Sequence, residues 1–217
     1  MPDRRHLQER HPKHGRRLNR FEPRQRLLIV CEGEKTEPYY FKKFPIPPNS
    51  IVVVEGTGAN TDGLVKETIV LKAKQKYNQV WVVFDRDSFT PEHFNKALQL
   101  ANANGIHVAY SNEAFELWYY LHFHYLETGI TREDYCNRLG KPKFLGHKYK
   151  KNSEAIYDEL LTYQPTAIRN AKKLLEQYNC PFAENKMTFF NFLPVACKLQ
   201  QINQATPECA FVKLSVV

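Results

Sequence analysis

The sequence predicts an α/β fold: a mostly parallel four-stranded sheet with helices on both faces, followed by a helical C-terminal extension. Three observations predict it. Four short apolar runs are β-branched or aromatic and too short for buried helices. Amphipathic stretches separate them, so strand and helix alternate along the chain. Each run is followed by acidic residues, as when strand ends point one way and carry polar loops.

The first run is Leu27-Leu28-Ile29-Val30-Cys31, continuous and apolar, as expected of a strand covered on both faces. A short helix is expected over Pro38–Phe44. The second strand is Ile51–Val54. A helix over Asp62–Tyr77 follows, with Leu64, Val65, Thr68, Ile69 and Ala73 inward and lysines outward. Val80–Phe84 is the third strand. Thr90-Pro91-Glu92 then reads as an N-cap with proline at the first helical position. Phe94, Ala97, Leu98 and Ala101 continue the helical stripe, and Gly105 ends it. Ile106–Tyr110 is the fourth strand. Beyond Ser111 the chain reads helical. Glu113–His124 is aromatic nearly all round and so buried, and Ser153–Leu161 and Thr166–Tyr178 are amphipathic. The expected divisions are a basic arm (1–25), the α/β core (26–125), a helical extension (126–179) and a tail (180–217).

The 217 residues include 31 Lys+Arg and 23 Asp+Glu, a formal net charge of +8. With 42% hydrophobic and 13% aromatic residues, wholesale disorder is excluded. No run approaches the ~18 apolar residues of a membrane span. The first residues are charged and lack an apolar stretch, so the expectation is a cytoplasmic chain without a secretory signal. Five cysteines without a CxxC pair argue against a disulfide framework or a four-thiolate zinc site. Cys31 reads as a small buried hydrophobe. Most of the charge excess lies in residues 1–26, where nine basic residues, Arg16, Arg17 and Arg20 among them, face three acidic ones. Such an arm either neutralises phosphates, in which case binding is salt-dependent, or serves as a solubilising or partner-docking tail.

The acidic strand ends carry the chemistry. Glu32-Gly33-Glu34 follows the first strand, Glu55-Gly56-Thr57-Gly58 the second, Asp85-Arg86-Asp87 the third, and Ser111-Asn112-Glu113 with Glu116 the fourth. In extended chain Asp85 and Asp87 share a face and Arg86 points away. If the first and third strands are neighbours, Glu32 joins them. Converging carboxylates repel unless a cation neutralises them. Oxygen-only ligands suit Mg²⁺ or Mn²⁺ rather than zinc. Glu32, Asp85 and Asp87 are therefore the candidate metal ligands, with Glu32 as ligand or general base. Glu37 has two readings: an extra or supporting carboxylate at the site, or an acidic residue favoured by the macrodipole at a helix start. Lys148, Lys150 and Lys151 form a basic knot that either neutralises a transferring phosphate or is a solvated surface. Lys150 is the candidate catalytic lysine, and Lys35, Lys148 and Lys151 are candidate nucleic-acid contacts. His122 and His124 sit on different helix faces, so zinc is not expected, while His122 either points at the site or does not. Gly56-Thr57-Gly58 offers close backbone approach to a phosphate.

The run Leu28–Glu37 with Val82-Val83-Phe84-Asp85-Arg86-Asp87 resembles the Toprim domain of topoisomerases, primases and OLD-type nucleases. More narrowly the chain resembles the RloB family, also called AbiLii-like. The likeness rests on four stretches: Cys31-Glu-Gly-Glu-Lys-Thr-Glu-Pro-Tyr-Tyr-Phe41, Phe84-Asp-Arg-Asp87, Ser111-Asn-Glu-Ala-Phe-Glu-Leu-Trp118 with Leu121-His122-Phe123, and Tyr149-Lys-Lys-Asn-Ser153. It spans roughly residues 26–178. The family's usual Asn-Pro-x-Thr ending has no counterpart in residues 180–217.

The resemblance implies a Toprim-like core and a Mg²⁺-dependent nuclease acting on DNA or RNA, and its third stretch adds Glu116 to the candidate metal ligands. It also implies a place in bacterial restriction or abortive infection, beside a partner AAA/ABC-type ATPase. The alternative is a regulatory metal-binding subunit that docks on such an ATPase or senses a nucleotide. Whether the chain forms a homo-oligomer is left open.

Overall fold

The computed structural model describes residues 25–46, 50–59, 61–86, 90–126 and 128–178. Its centre is a four-stranded, all-parallel sheet in the order β2-β1-β3-β4. The strands are β1 (Gln25–Cys31), β2 (Ser50–Gly56), β3 (Gln79–Arg86) and β4 (His107–Asn112). Between them lie α1 (Thr36–Lys42), α2 (Thr61–Lys74) and α3 (Pro91–Ala103). After the sheet come α4 (Glu116–Leu121), α5 (Arg132–Leu139), α6 (Ile156–Leu160), a 3₁₀ turn at Leu161–Tyr163, and α7 (Gln164–Tyr178). The predicted fold class is the observed one.

β1 is flanked by strands on both edges, and Leu27 to Cys31 are each at most 1% exposed. That is why the run is apolar without alternation. Alternation still decides which layer each side chain meets. Leu28 and Val30, with Val80, Val82 and Phe84 of β3, pack against Leu64 and Val65 of α2 and Phe94, Ala97 and Ala101 of α3. Leu27, Ile29 and Cys31, with Trp81, Val83 and Ala109, meet the other layer. That layer is built from α1, α4 and the helices after Leu126, whose Tyr135, Leu139, Ile156, Leu160 and Ala167 join the same core. Truncating one of these aliphatic side chains, for example Ile29→Ala, costs about 2–5 kcal/mol.

An aromatic cluster fixes α1 against α4. Tyr40 lies 5.8 Å from Phe115, 5.6 Å from Tyr119 and 5.3 Å from Tyr157, ring to ring. Trp118 Nε1 donates to the Tyr40 hydroxyl at 2.7 Å, and so does Gln164 Nε2 from α7. Phe115 and Trp118 are core residues at 1% and 0% exposure.

Several boundaries differ from expectation. α4 starts at Glu116 rather than Glu113, because Glu113 takes a left-handed conformation (φ 66°) that ends β4 in a turn. Ala73 on α2 is exposed, since the inward stripe ends a turn earlier. α5 is a separate capped helix within the expected extension. The α3 cap is as expected: Thr90 accepts from the His93 amide behind Pro91, and Gly105 takes φ 60° beyond the helix end. Cys31 and Cys136 are free thiols. The arm at 1–24 and the tail at 180–217 lie outside the described residues. Among the described residues no helix is long and apolar enough to cross a membrane.

Candidate metal centre at the carboxyl ends of the strands

Adjacent parallel strands bring the first two carboxylates together. Beyond β1, the Glu32 amide donates to the Val83 carbonyl at 2.8 Å, extending the ladder by one residue. The Glu32 side chain then turns back, and its Oε2 accepts from the Asp85 amide at 3.0 Å. Arg86 lies on the opposite face, its guanidinium 4.9 Å from the centre of the Phe94 ring. Alternation along β3 thus sends Asp85 toward α1 and α4, and Arg86 toward α3.

The third carboxylate depends on a missing side chain. A Cβ on Gly33 would stand 2.2 Å from Glu37 Oε2. Glu37, in the first turn of α1, therefore folds back over Gly33 and is buried (5% exposed). Gly56 and Gly58 serve loop packing. A Cβ on Gly56 would lie 2.6 Å from the Gly33 carbonyl oxygen, and Gly58 sits at φ 65° with its amide donating to the Glu32 carbonyl at 2.8 Å. Neither lines the cavity described next.

The fourth carboxylate is Glu116, at the start of α4 and 3% exposed. Tyr149 donates its hydroxyl to Glu116 Oε1 at 2.9 Å. Close by, Thr36 Oγ1 donates to Asn152 Oδ1 at 2.6 Å, tying the loop before α6 to the start of α1. Glu32, Glu37, Asp85 and Glu116 all line one cavity of about 440 Å³. Lys35, Arg132 and Lys151 supply its positive charge. Arg132 Nη2 pairs with Asp85 Oδ2 at 3.2 Å and donates to the Glu113 carbonyl at 3.0 Å.

Burial and mutual repulsion raise two of these carboxyls above the usual carboxylate range. The Glu37 carboxyl is pushed up to about 7, first by burial and then by Glu116 and Glu32, against its backbone hydrogen bond and Lys151. Asp85 is also raised, by burial and then by Glu37 and Glu116, against the opposing pull of Arg132. Glu37 Oε2 is buried without a hydrogen-bond partner among the described residues. Such an oxygen suits a hard cation, and the donor set is all oxygen. Among the described residues, however, no three His, Cys, Asp or Glu side chains come close enough to chelate one ion. Mg²⁺ is held in many sites by one or two carboxylates, with waters and substrate phosphates completing its shell, and the cavity fits that mode.

A family model described as RloB-like protein matches residues 27–192, most of the chain. The chain belongs to the RloB-like family. No curated protein and no solved structure matches it. The span matched to the RloB-like family contains every residue that lines the cavity.

Of the residues singled out from sequence, Glu32, Asp85, Glu116, Lys35 and Lys151 line this cavity. Lys148 and Lys150 do not: both are exposed. In the same loop Tyr149 reaches Glu116 and Lys151 lines the cavity, while Lys150 does not. Asp87, Arg16, Arg17 and Arg20 lie outside the described residues. His122 does not point at the site. It is fully buried, and its Nδ1 donates to the Trp118 carbonyl at 2.8 Å. Sequence reasoning missed Arg132, which meets Asp85 from 47 positions away, and Asn152. Thr131 and Asp134 form a capping box, and that spacing is the one local signal that α5 starts there.

Proposed function

We propose that this RloB-like protein is a Mg²⁺- or Mn²⁺-dependent nuclease that hydrolyses phosphodiester bonds of DNA or RNA, with Toprim-type metal chemistry. One observation carries the reading: Glu32 and Asp85, on neighbouring parallel strand ends, share a cavity with buried Glu37 and Glu116 and with Lys35 and Lys151. A divalent cation supplies two things in such chemistry, a water of lowered pKa and stabilisation of charge on the phosphoryl oxygens. Glu32 and Asp85 are the proposed direct ligands, joined by Asp87 from the Asp-x-Asp motif. Glu116, held by Tyr149, lines the same cavity within reach of the cation's bound waters, and the Glu37 carboxylate supports the site from above Gly33. Lys35 and Lys151 neutralise the substrate phosphate, and the basic arm contributes further phosphate contacts. The proposed setting is bacterial anti-phage defence by abortive infection, together with a partner ATPase.

A second reading is a metal-binding regulatory subunit for that ATPase, or a nucleotide sensor. The Arg132–Asp85 ion pair favours it, since a ligand already paired with a cation suits a resting, non-cleaving state.

The test is a cleavage assay with the purified full chain, alone and with its neighbour-encoded ATPase, on DNA, tRNA and rRNA with Mg²⁺ or Mn²⁺. Cation-dependent cleavage by the wild type, lost in a folded Asp85→Ala variant, is the expected result. Cleavage equal in wild type and Asp85→Ala contradicts the nuclease reading, and saturable cation binding without cleavage in any combination supports the regulatory one.

A further inference from the structure

Arg132 sits where a cation belongs. Its Nη2 donates both to Asp85 Oδ2 at 3.2 Å and to the Glu113 carbonyl at 3.0 Å. Neither contact is incidental to the fold. The Glu113 carbonyl is presented by a left-handed backbone (φ 66°), a conformation costly for a residue with a side chain. Arg132 is also the first residue of α5, where the helix macrodipole disfavours a positive charge. Its backbone is nonetheless fixed, because the Thr131–Asp134 capping box and buried Tyr135 and Leu139 hold α5 in place. A conformationally unfavourable turn and an unfavourably placed charge meet at one carboxylate of the acidic cavity.

We propose that Arg132 is a built-in counter-cation. It neutralises Asp85 when no divalent cation is bound, and it must release Asp85 for a divalent cation to bind. The inference rests on the cation site proposed above and specifies its regulation. The physical reason is exclusion. A guanidinium on Asp85 Oδ2 blocks that oxygen, and a like charge a few ångströms from an incoming ion opposes it. Divalent-cation affinity is thereby set below what the carboxylates alone would give, and a ligand that draws Arg132 away, such as a phosphate, raises it.

The experiment measures Mn²⁺ binding to the full chain by electron paramagnetic resonance of free Mn²⁺. Wild type, Arg132→Gln, Arg138→Gln and Asp85→Asn are compared. Arg138 is on the same helix, so its variant removes the same charge without touching Asp85. Arg132→Gln is expected to bind Mn²⁺ about five-fold more tightly than wild type, the scale of one partly exposed ion pair. Arg138→Gln should match wild type, and Asp85→Asn should lose the site. Equal or weaker binding by Arg132→Gln, or equal tightening by Arg138→Gln, overturns the role of Arg132 while leaving the cation site standing. Wild-type affinity in Asp85→Asn overturns the cation reading itself. Thermal melting provides a second readout. Arg132→Gln should melt below wild type without Mn²⁺ and gain more from Mn²⁺ than wild type does; equal gains contradict the proposal.

Discussion

The Glu37 carboxylate occupies the space that a side chain on residue 33 would fill, with Oε2 only 2.2 Å from where an ideal Gly33 Cβ would stand. The glycine of the Glu-Gly-Glu stretch is thus tied to a carboxylate four positions on, one turn into the site. Gly33→Ala should fold, because the displaced group is the end of a side chain, but Glu37 must leave its seat. The expected result is a melting temperature within a few degrees of wild type and Mn²⁺ binding weakened about ten-fold or more, as when a group that supports a metal's ligands is removed. Calorimetric titration with Mn²⁺ checks it, and unchanged affinity would show that Glu37 plays no part.

Tyr149 is the hydrogen-bond donor to Glu116 Oε1, and burial followed by the Glu116 charge raises its phenol. Tyr149→Phe keeps the ring and removes only that donor. The change should cost about 1–3 kcal/mol, the penalty for depriving a buried acceptor of its partner. Chemical denaturation should register it as a lower midpoint with unchanged slope.

His122 supplies a pH dependence separate from the carboxylates. Burial lowers its imidazole to about 4, while its Nδ1 donates to the Trp118 carbonyl. The unfolded chain therefore binds a proton more readily than the folded one. The stability tied to neutral His122 is fully present above pH 6.5 and is lost as pH falls toward 4. Wild type should exceed His122→Gln in stability at pH 7.5, and the gap should narrow by about 2 kcal/mol on descending to pH 4.5. Denaturant melts across that range measure the gap, and a constant difference would mean the histidine is not held neutral.

Deletion tests the role of the basic arm. Removing residues 1–24 should weaken binding to a DNA or RNA oligonucleotide and flatten the plot of log affinity against log salt. The slope changes by about 0.9 for each duplex phosphate that the arm would otherwise neutralise. Fluorescence anisotropy over a range of KCl reads the slope directly, and an unchanged slope assigns the arm another role.

What is legible in the sequence follows from the range of the interactions concerned. Leu27–Cys31 and Val80–Phe84 declare themselves as strands because burial on both faces demands unbroken apolar runs. Glu32 and Asp85 can be paired once β1 and β3 are taken as neighbours, because residues just past the ends of adjacent parallel strands are close by construction. α5 is not legible as a helix: Arg132-Glu-Asp-Tyr-Cys-Asn-Arg-Leu139 is mostly polar, and two buried residues make too faint a stripe. The pairing of Arg132 with Asp85 is a tertiary event with no local pattern. Glu37 has two readings from sequence because a carboxylate early in a helix is ordinary; only the fold shows that it lies over Gly33 and lines the cavity. Composition marks a basic cluster at 148–151 without saying which member faces inward, so Lys150 is the catalytic candidate from sequence while Lys151 is the lysine that lines the cavity.

The most direct test of the central claim is a crystal of the full chain grown with Mn²⁺, with anomalous scattering recorded to locate the ion. A peak is expected inside the cavity, about 2.0–2.2 Å from carboxylate oxygens of Glu32 and Asp85. No peak at saturating Mn²⁺, or one away from both residues, would contradict it.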